Sequence, residues 1–244
     1  PFERPKLKVR VTLYPKFVCE GEPACGVAQP PREPGLVEGN RYDTSVAAEI
    51  VTGKYAYHLP IYREQDWFAG SGWRPTRSTL PDILASAAYV LEPLYRHYAD
   101  CVRSSPVIPT DDTPVMLLLP RDIPAPRDGD PKSRRIHEVL SAARAEKKSH
   151  VPARMWVDRS LGPDGANVFD FTVSRHRDGP QDFLKDFAGT LLGDCYSGYE
   201  SLRLAGDGRI VRAACHAHAR RYVHDARDQH PLEAAQLLAW YRQL

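Results

Sequence analysis

Two aspartates close two apolar, strand-like runs: Asp111 ends Val107-Ile108-Pro109-Thr110, and Asp194 ends Thr190-Leu191-Leu192-Gly193. One Asp at a strand end has an ordinary explanation, since its carboxylate caps the turn or helix that follows. Two in one α/β block raise another. If they converge to within ~4 Å, their repulsion reaches several kcal/mol at an effective dielectric of about 20, so one takes a proton unless a cation lies between them. Mg²⁺ or Mn²⁺ suits such a pair, because hard oxygen ligands hold it while other positions stay open to phosphate oxygens and water. The pair therefore points to a divalent-metal site handling phosphodiester bonds, without specifying a reaction.

Other residues bear on the same chemistry. Arg203, Arg209, Arg212, Arg220, Arg221 and Arg227 fall in one stretch with three histidines and only Asp207 and Asp225 as acids. Such a basic stripe suits a phosphate backbone, or forms a solvated helix face. Arg175 and Arg177 flank His176 in a weaker version of the pattern. Cys215, His216 and His218 resemble a ligand cluster by type, yet His residues two apart on a helix point to different faces and do not converge readily. Trp156, between Met155 and Val157, reads as core rather than as a platform for base stacking.

The elements that would position these groups follow from periodicity. Residues 7–14 alternate apolar and polar, which predicts a half-exposed strand. A Pro- and Gly-rich segment, residues 26–42, reads as a linker or extended arm. From Asp43 to about Ser104 the pattern is helical. One helix is marked by Val46, Ile50 and Val51, a second starts near Ile61 and runs to about Gly70, and a third follows Ser78 as N-cap. These helices fit a helix-turn-helix that docks on DNA, or a plain bundle. Beyond residue 105, Val107–Asp111 and Val115–Leu119 read as two strands joined through Asp112-Thr113-Pro114. Residues 120–152 form a Pro- and charge-rich insertion with a helix around Arg134 to Glu146. Ala153–Arg159, Asn167–Val173, Gly189–Asp194 and Ile210–Ala214 are further strands, with a helix over Pro180–Phe187 and two more over residues 216–228 and 231–244. Strands first, then helix and strand in alternation, predict a mixed α/β sheet flanked by helices. Three segments result: 1–42, 43–104 and 105–244.

Composition sets outer limits. The 244 residues are 42% apolar and 26% charged with net charge +2, ordinary for a soluble globular protein. No run approaches the roughly 18 consecutive apolar residues of a membrane span, and no signal-like apolar core opens the chain, so a cytoplasmic protein without a membrane partner is expected. Five cysteines (Cys19, Cys25, Cys101, Cys195 and Cys215) argue against a secreted disulfide framework.

Several motifs, taken in order, carry a resemblance. Val107-Ile108-Pro109-Thr110-Asp111-Asp112-Thr113-Pro114-Val115 resembles the first-aspartate motif of the insertion-sequence sixty-six family of bacterial transposases, which ends in Asp-Glu-Thr-Pro-Val. Lys54-Tyr55-Ala56-Tyr57-His58-Leu59-Pro60-Ile61-Tyr62-Arg63 and Ser78-Thr79-Leu80 resemble its helical region. Phe169-Asp170-Phe171-Thr172, Ser174-Arg175, Arg177-Asp178-Gly179-Pro180 and Phe183-Leu184 resemble the stretch before its second aspartate. Asp194 with Tyr196, Gly198 and Tyr199 matches that aspartate, and Cys215 with Ala217-His218-Ala219-Arg220-Arg221 the basic motif after it.

The resemblance implies a ribonuclease-H-like fold and an Asp-Asp-Glu triad that binds two Mg²⁺ or Mn²⁺ ions. It also implies DNA cleavage and strand transfer at element ends, carried out by a homo-oligomer on DNA. Carried over, Asp111 and Asp194 are the first two catalytic and metal-binding carboxylates. Asp112, in the family's Glu position, and His218 support them, while Arg175, Arg177, Arg220 and Arg221 contact DNA. The third acid is expected within about one turn beyond Leu244; Glu233 is an early substitute that helix-dipole compensation explains well enough. Cys19 and Cys25 look like the closing half of a zinc-binding segment whose other ligands would precede Pro1, and otherwise are free thiols. The chain thus reads as a fragment truncated at both ends and inactive without its third acid. A DNA-binding remnant that no longer catalyses is the alternative, and a two-carboxylate glycosidase a more distant one.

Overall fold

The computed structural model describes residues 7–18, 20–21, 26–32, 35–39, 41–163, 165–176, 178–205 and 208–243, excluding the side chains of 178 and 203–205. Cys19, Cys25 and Arg177 lie outside the described residues. The chain divides into two compact units, Pro1–Leu94 and Tyr95–Leu244.

The first unit is helical. The alternation over residues 7–14 predicts a strand, but those residues carry no regular structure. Val9, Val11 and Leu13 remain largely exposed, so among the described residues the pattern has neither a pairing strand nor a buried face to act on. A two-residue pairing of β1 (Phe17–Val18) with β2 (Val27–Ala28) follows instead. Helix α1 (Thr44–Tyr55) begins where the Asp43 carboxylate accepts a hydrogen bond from the Ser45 amide at 2.9 Å. Helix α2 (Ile61–Gly70) ends in a Schellman motif: the Gly72 amide donates to Ala69 O, the Trp73 amide to Phe68 O, and Gly72 takes φ +93°. The motif sets the Trp73 ring 5.0 Å from that of Phe68. Ala47, Ile50, Phe68, Leu80 and Ile83 form the core beneath it.

Helix α3 (Thr79–Arg103) starts in this unit and finishes in the next, where Ala99 and Val102 join the core of a sheet. That sheet has five strands in the order β5-β4-β3-β6-β7: β3 (Val107–Leu118), β4 (His150–Arg159), β5 (Asn167–Thr172), β6 (Gly189–Gly193) and β7 (Ile210–Ala214). Strands β3, β4 and β5 form an antiparallel meander, while β6 and β7 run parallel to β3. Helices α4 (Pro131–Ala145), α5 (Asp178–Phe183), α6 (Ser197–Ala205), α7 (His216–Asp225) and α8 (Pro231–Tyr241) flank it. This is the mixed sheet with flanking helices expected from the pattern, in the ribonuclease-H-like arrangement that the resemblance implies.

Within the sheet a second sequence expectation fails. The break at Asp112-Thr113-Pro114 does not occur, and β3 runs unbroken for 12 residues. Pro114 lies beyond the β6 pairing, which covers only Val107 to Pro109, so its missing N–H faces the open side of the strand while β4 pairs the other. The 120–152 insertion supplies α4, capped by Asp130, and Leu140 and Ala143 pack with Val151 over the far end of the β3–β4 hairpin.

Period two divides β3 between the faces of the sheet. Ile108, Thr110 and Asp112 point one way. Ile108 joins Leu191, Ile210, Trp156, Phe187 and Tyr199 in the main core. Val107, Pro109 and Asp111 point the other way. Among the described residues no helix is long and apolar enough to cross a membrane.

Candidate carboxylate site

The two adjacent aspartates of β3 have opposite surroundings. Asp111 is half exposed, with Oδ2 3.5 Å from His218 Nε2 in the first turn of α7 and Oδ1 accepting from the Asp112 amide. The side chain of Asp112 is only 2% exposed and is held by two arginines. Arg154 Nη1, from the paired strand β4, donates to Oδ2 at 3.0 Å; Arg175 donates to Oδ1 through Nε at 3.1 Å and Nη2 at 2.8 Å.

Asp194 stands one residue past β6. Its Oδ1 accepts from the Tyr196 amide at 2.9 Å, a turn that leads into α6, and its backbone oxygen accepts from Arg212 Nη2. Its Oδ2 lies 3.3 Å from Arg175 Nη2, so one guanidinium spans Asp112 and Asp194. That guanidinium also lies over the Tyr196 ring, 4.4 Å from the centroid. Burial works against the charge of Arg175. The hydrogen bond and charge of Asp112, with the charge of Asp194, outweigh it and hold the guanidinium above its ordinary pKa. The parallel β3–β6 pairing ends at Pro109↔Leu192, and Asp111 and Asp194 each lie two residues beyond that last pair. Asp111 is thus the fifth residue of the continuous strand β3, and Asp194 follows the end of β6, the parallel strand beside it.

A buried polar group lies under the same strand. Thr110 pairs with Asp158 across β3 and β4, and its hydroxyl is 3.3 Å from Tyr199 Oη. Burial pushes the Asp158 carboxyl up to about 7 against a hydrogen bond from Thr110, with the Asp170 charge adding to the rise. Burial also raises Tyr199.

The remaining candidates are spread more widely. Arg220 and Arg221 are exposed on α7. Arg212, grouped with the basic stripe by sequence, turns inward to Asp194 O and to Glu200 at 3.6 Å. His216 packs edge-on against Tyr241 while His218 faces Asp111, so the two separate as helical spacing requires. Trp156 is core, its Nε1 donating to Thr172 Oγ1. Glu233 occupies the first turn of α8. Sequence reasoning misses Arg154 and assigns Arg212 to the basic stripe rather than to Asp194. A lone charge inside a strand with buried neighbours was the signal for Arg154, since such a charge must find a counter-ion.

A donor set of two carboxylates suits a hard divalent cation. Two carboxylates lie just past the paired stretch of adjacent parallel strands, one of them open to solvent, and the imidazole against it keeps a buried Nδ1 without a hydrogen-bond partner among the described residues. No group of three His, Cys, Asp or Glu side chains placed to hold a metal occurs among the described residues.

The chain is similar to curated proteins of Sinorhizobium fredii (strain NBRC 101917 / NGR234). It is 34% identical to "Uncharacterized protein y4jD" over 222 residues, covering 88% of this chain and 39% of that protein. It is 25% identical to "Uncharacterized protein y4hP" over 231 residues, covering 91% of this chain and 37% of the other. The chain therefore spans less than two-fifths of the length of these relatives. No solved structure gives a significant match. Residues 39–244, which include both units' helices and the whole sheet with its carboxylates, match the model of the Transposase IS66 family, and the chain belongs to that family.

Proposed function

We propose that this chain forms part of a DNA transposase catalytic core that cuts and joins DNA at insertion-sequence ends, with Asp111 and Asp194 as two of its metal-binding carboxylates. The observation that carries this reading is that each lies two residues beyond the last pair of the parallel β3–β6 ladder, in a member of a transposase family. Bound Mg²⁺ or Mn²⁺ would supply activation of the attacking oxygen and stabilisation of the leaving one.

The protein's own part is positioning. His218 braces the carboxylate of Asp111, while the Tyr196 amide and Arg212 fix the turn that presents Asp194. Arg220 and Arg221, exposed on the helix that carries His218, suit phosphates of DNA lying across the carboxylates. In the full-length protein, Asp111→Asn and Asp194→Asn should each abolish strand cleavage of element-end DNA and leave DNA binding in place. Full cleavage by either variant would overturn the assignment. A parent protein that binds such DNA but never cuts it would support an inactive remnant instead.

A further inference from the structure

The resemblance groups Arg175 with DNA contacts, yet the structure turns its guanidinium inward onto two carboxylates. Three contacts fix it. Asp112, itself buried and neutralised on its other oxygen by Arg154, accepts from both Nε and Nη2. The Tyr196 ring lies under the guanidinium, and the Tyr196 hydroxyl donates to the backbone oxygen of Arg175. Only then does Nη2 reach Asp194 Oδ2, at 3.3 Å, the longest of its carboxylate contacts. The guanidinium is anchored on Asp112 and leans on Asp194. Tyr196 is shared by both partners, because its amide holds the other oxygen of Asp194.

We propose that Arg175 is a positioning residue for the second aspartate: anchored by Asp112 and Tyr196, it fixes the orientation of the Asp194 carboxylate and places a resident positive charge beside it. This rests on Asp194 being a metal carboxylate. Two consequences follow with opposite signs. The guanidinium opposes a divalent cation at Asp194 by like charge and by occupying one lone-pair direction, so its removal strengthens cation binding. It also orients the carboxylate, so its removal degrades the reacting geometry. A residue that merely contacts DNA would change neither metal affinity nor the chemical step at saturating DNA.

The test uses the full-length protein and Mn²⁺ as probe, titrated without DNA by calorimetry or electron paramagnetic resonance, alongside strand cleavage at saturating DNA. Arg175→Gln should bind Mn²⁺ more tightly, on the order of tenfold, while cleavage falls by at least a similar factor. Arg175→Lys keeps the charge but loses the two-point grip on Asp112. It should bind Mn²⁺ as the parent does and still cleave poorly, which tests the idea even if the Gln variant does not fold. Because Asp112 acts through Arg175, Asp112→Asn combined with Arg175→Gln should cleave no worse than the weaker single variant.

Unchanged or weaker Mn²⁺ binding in a folded Arg175→Gln protein overturns the proposal, as does a DNA affinity loss with normal cleavage at saturation. Asp194→Asn separates the two levels. If it leaves Mn²⁺ binding of the parent intact, the metal reading itself falls and the proposal with it. If it abolishes binding while Arg175→Gln changes nothing, only the proposal falls.

Discussion

Asp158 ties the stability of the sheet to pH in a way that can be measured. Its side chain is buried opposite Thr110, and its Oδ1 has no hydrogen-bond partner among the described residues. Burial moves its carboxyl from 3.8 to about 7. A carboxyl whose pKa is higher in the folded than in the unfolded chain supports folding only while it is protonated. Its contribution is full below the unfolded value of 3.8, shrinks as the unfolded chain gives up its proton, and is gone above about 7. At about 1.4 kcal/mol per pH unit, that window amounts to about 4 kcal/mol. Asp158→Asn keeps the shape and the neutral state but cannot ionise. Subtracting the variant's stability from the parent's cancels every other titrating group. The difference should move by about 4 kcal/mol in the variant's favour between about pH 4 and pH 8. Urea unfolding across that range reads it, followed by the fluorescence of Trp156, buried two residues away on the same strand, in a background where Trp67, Trp73 and Trp240 are Phe. A difference that stays flat with pH would refute the claim that Asp158 ionises in the folded sheet only at a large energetic cost.

Two further outcomes are expected. Arg220→Ala and Arg221→Ala, both exposed on α7, should each weaken DNA binding and lower the slope of log affinity against log salt by about 0.9, read between about 50 and 200 mM salt; an unchanged slope would remove them from the interface. Leu191→Ala, at a fully buried position on β6, should destabilise the second unit by about 2–5 kcal/mol in chemical denaturation, and a loss well under 1 kcal/mol would mean that the core closes over the gap.

Much of the second unit is readable from one dimension because its signals are local. Ile210–Ala214 is found with its bounds unchanged, and the ends of β5 and β6 shift by a single residue, since short apolar runs flanked by turn residues are self-sufficient cues. The two Asp positions stand out for the same reason. Residues 7–14 show the opposite case, where alternation without a partner strand produces nothing. Pro114 misled because a proline argues against a central strand, and β3 is central only over its first residues. Arg175 and Arg212 misled for a different reason. A cation's sequence neighbours say little about which charge it meets 63 positions away, as Arg175 does with Asp112.

The same limit explains why Asp111 and Asp112 are hard to tell apart by sequence and cannot exchange roles in the fold. They are identical in type and adjacent, so period two alone sends them to opposite faces. The face of Asp112 is the core side, where it lies opposite Trp156 and takes hydrogen bonds from two arginines. A buried carboxylate with that much positive charge around it has no oxygen free for a second cation, and removing either arginine would leave one of its buried oxygens without its charged donor. Asp111 has the reverse: solvent on one side and the His218 imidazole on the other. A slip of one residue in the β3–β4 register would bring the solvent-facing carboxylate into the core and expose the anchored one, undoing the Arg175 bridge in the same step. The long antiparallel pairing of β3 with β4, nine residue pairs from Thr110 to Leu118, guards against that slip and so keeps the two carboxylates in their separate roles.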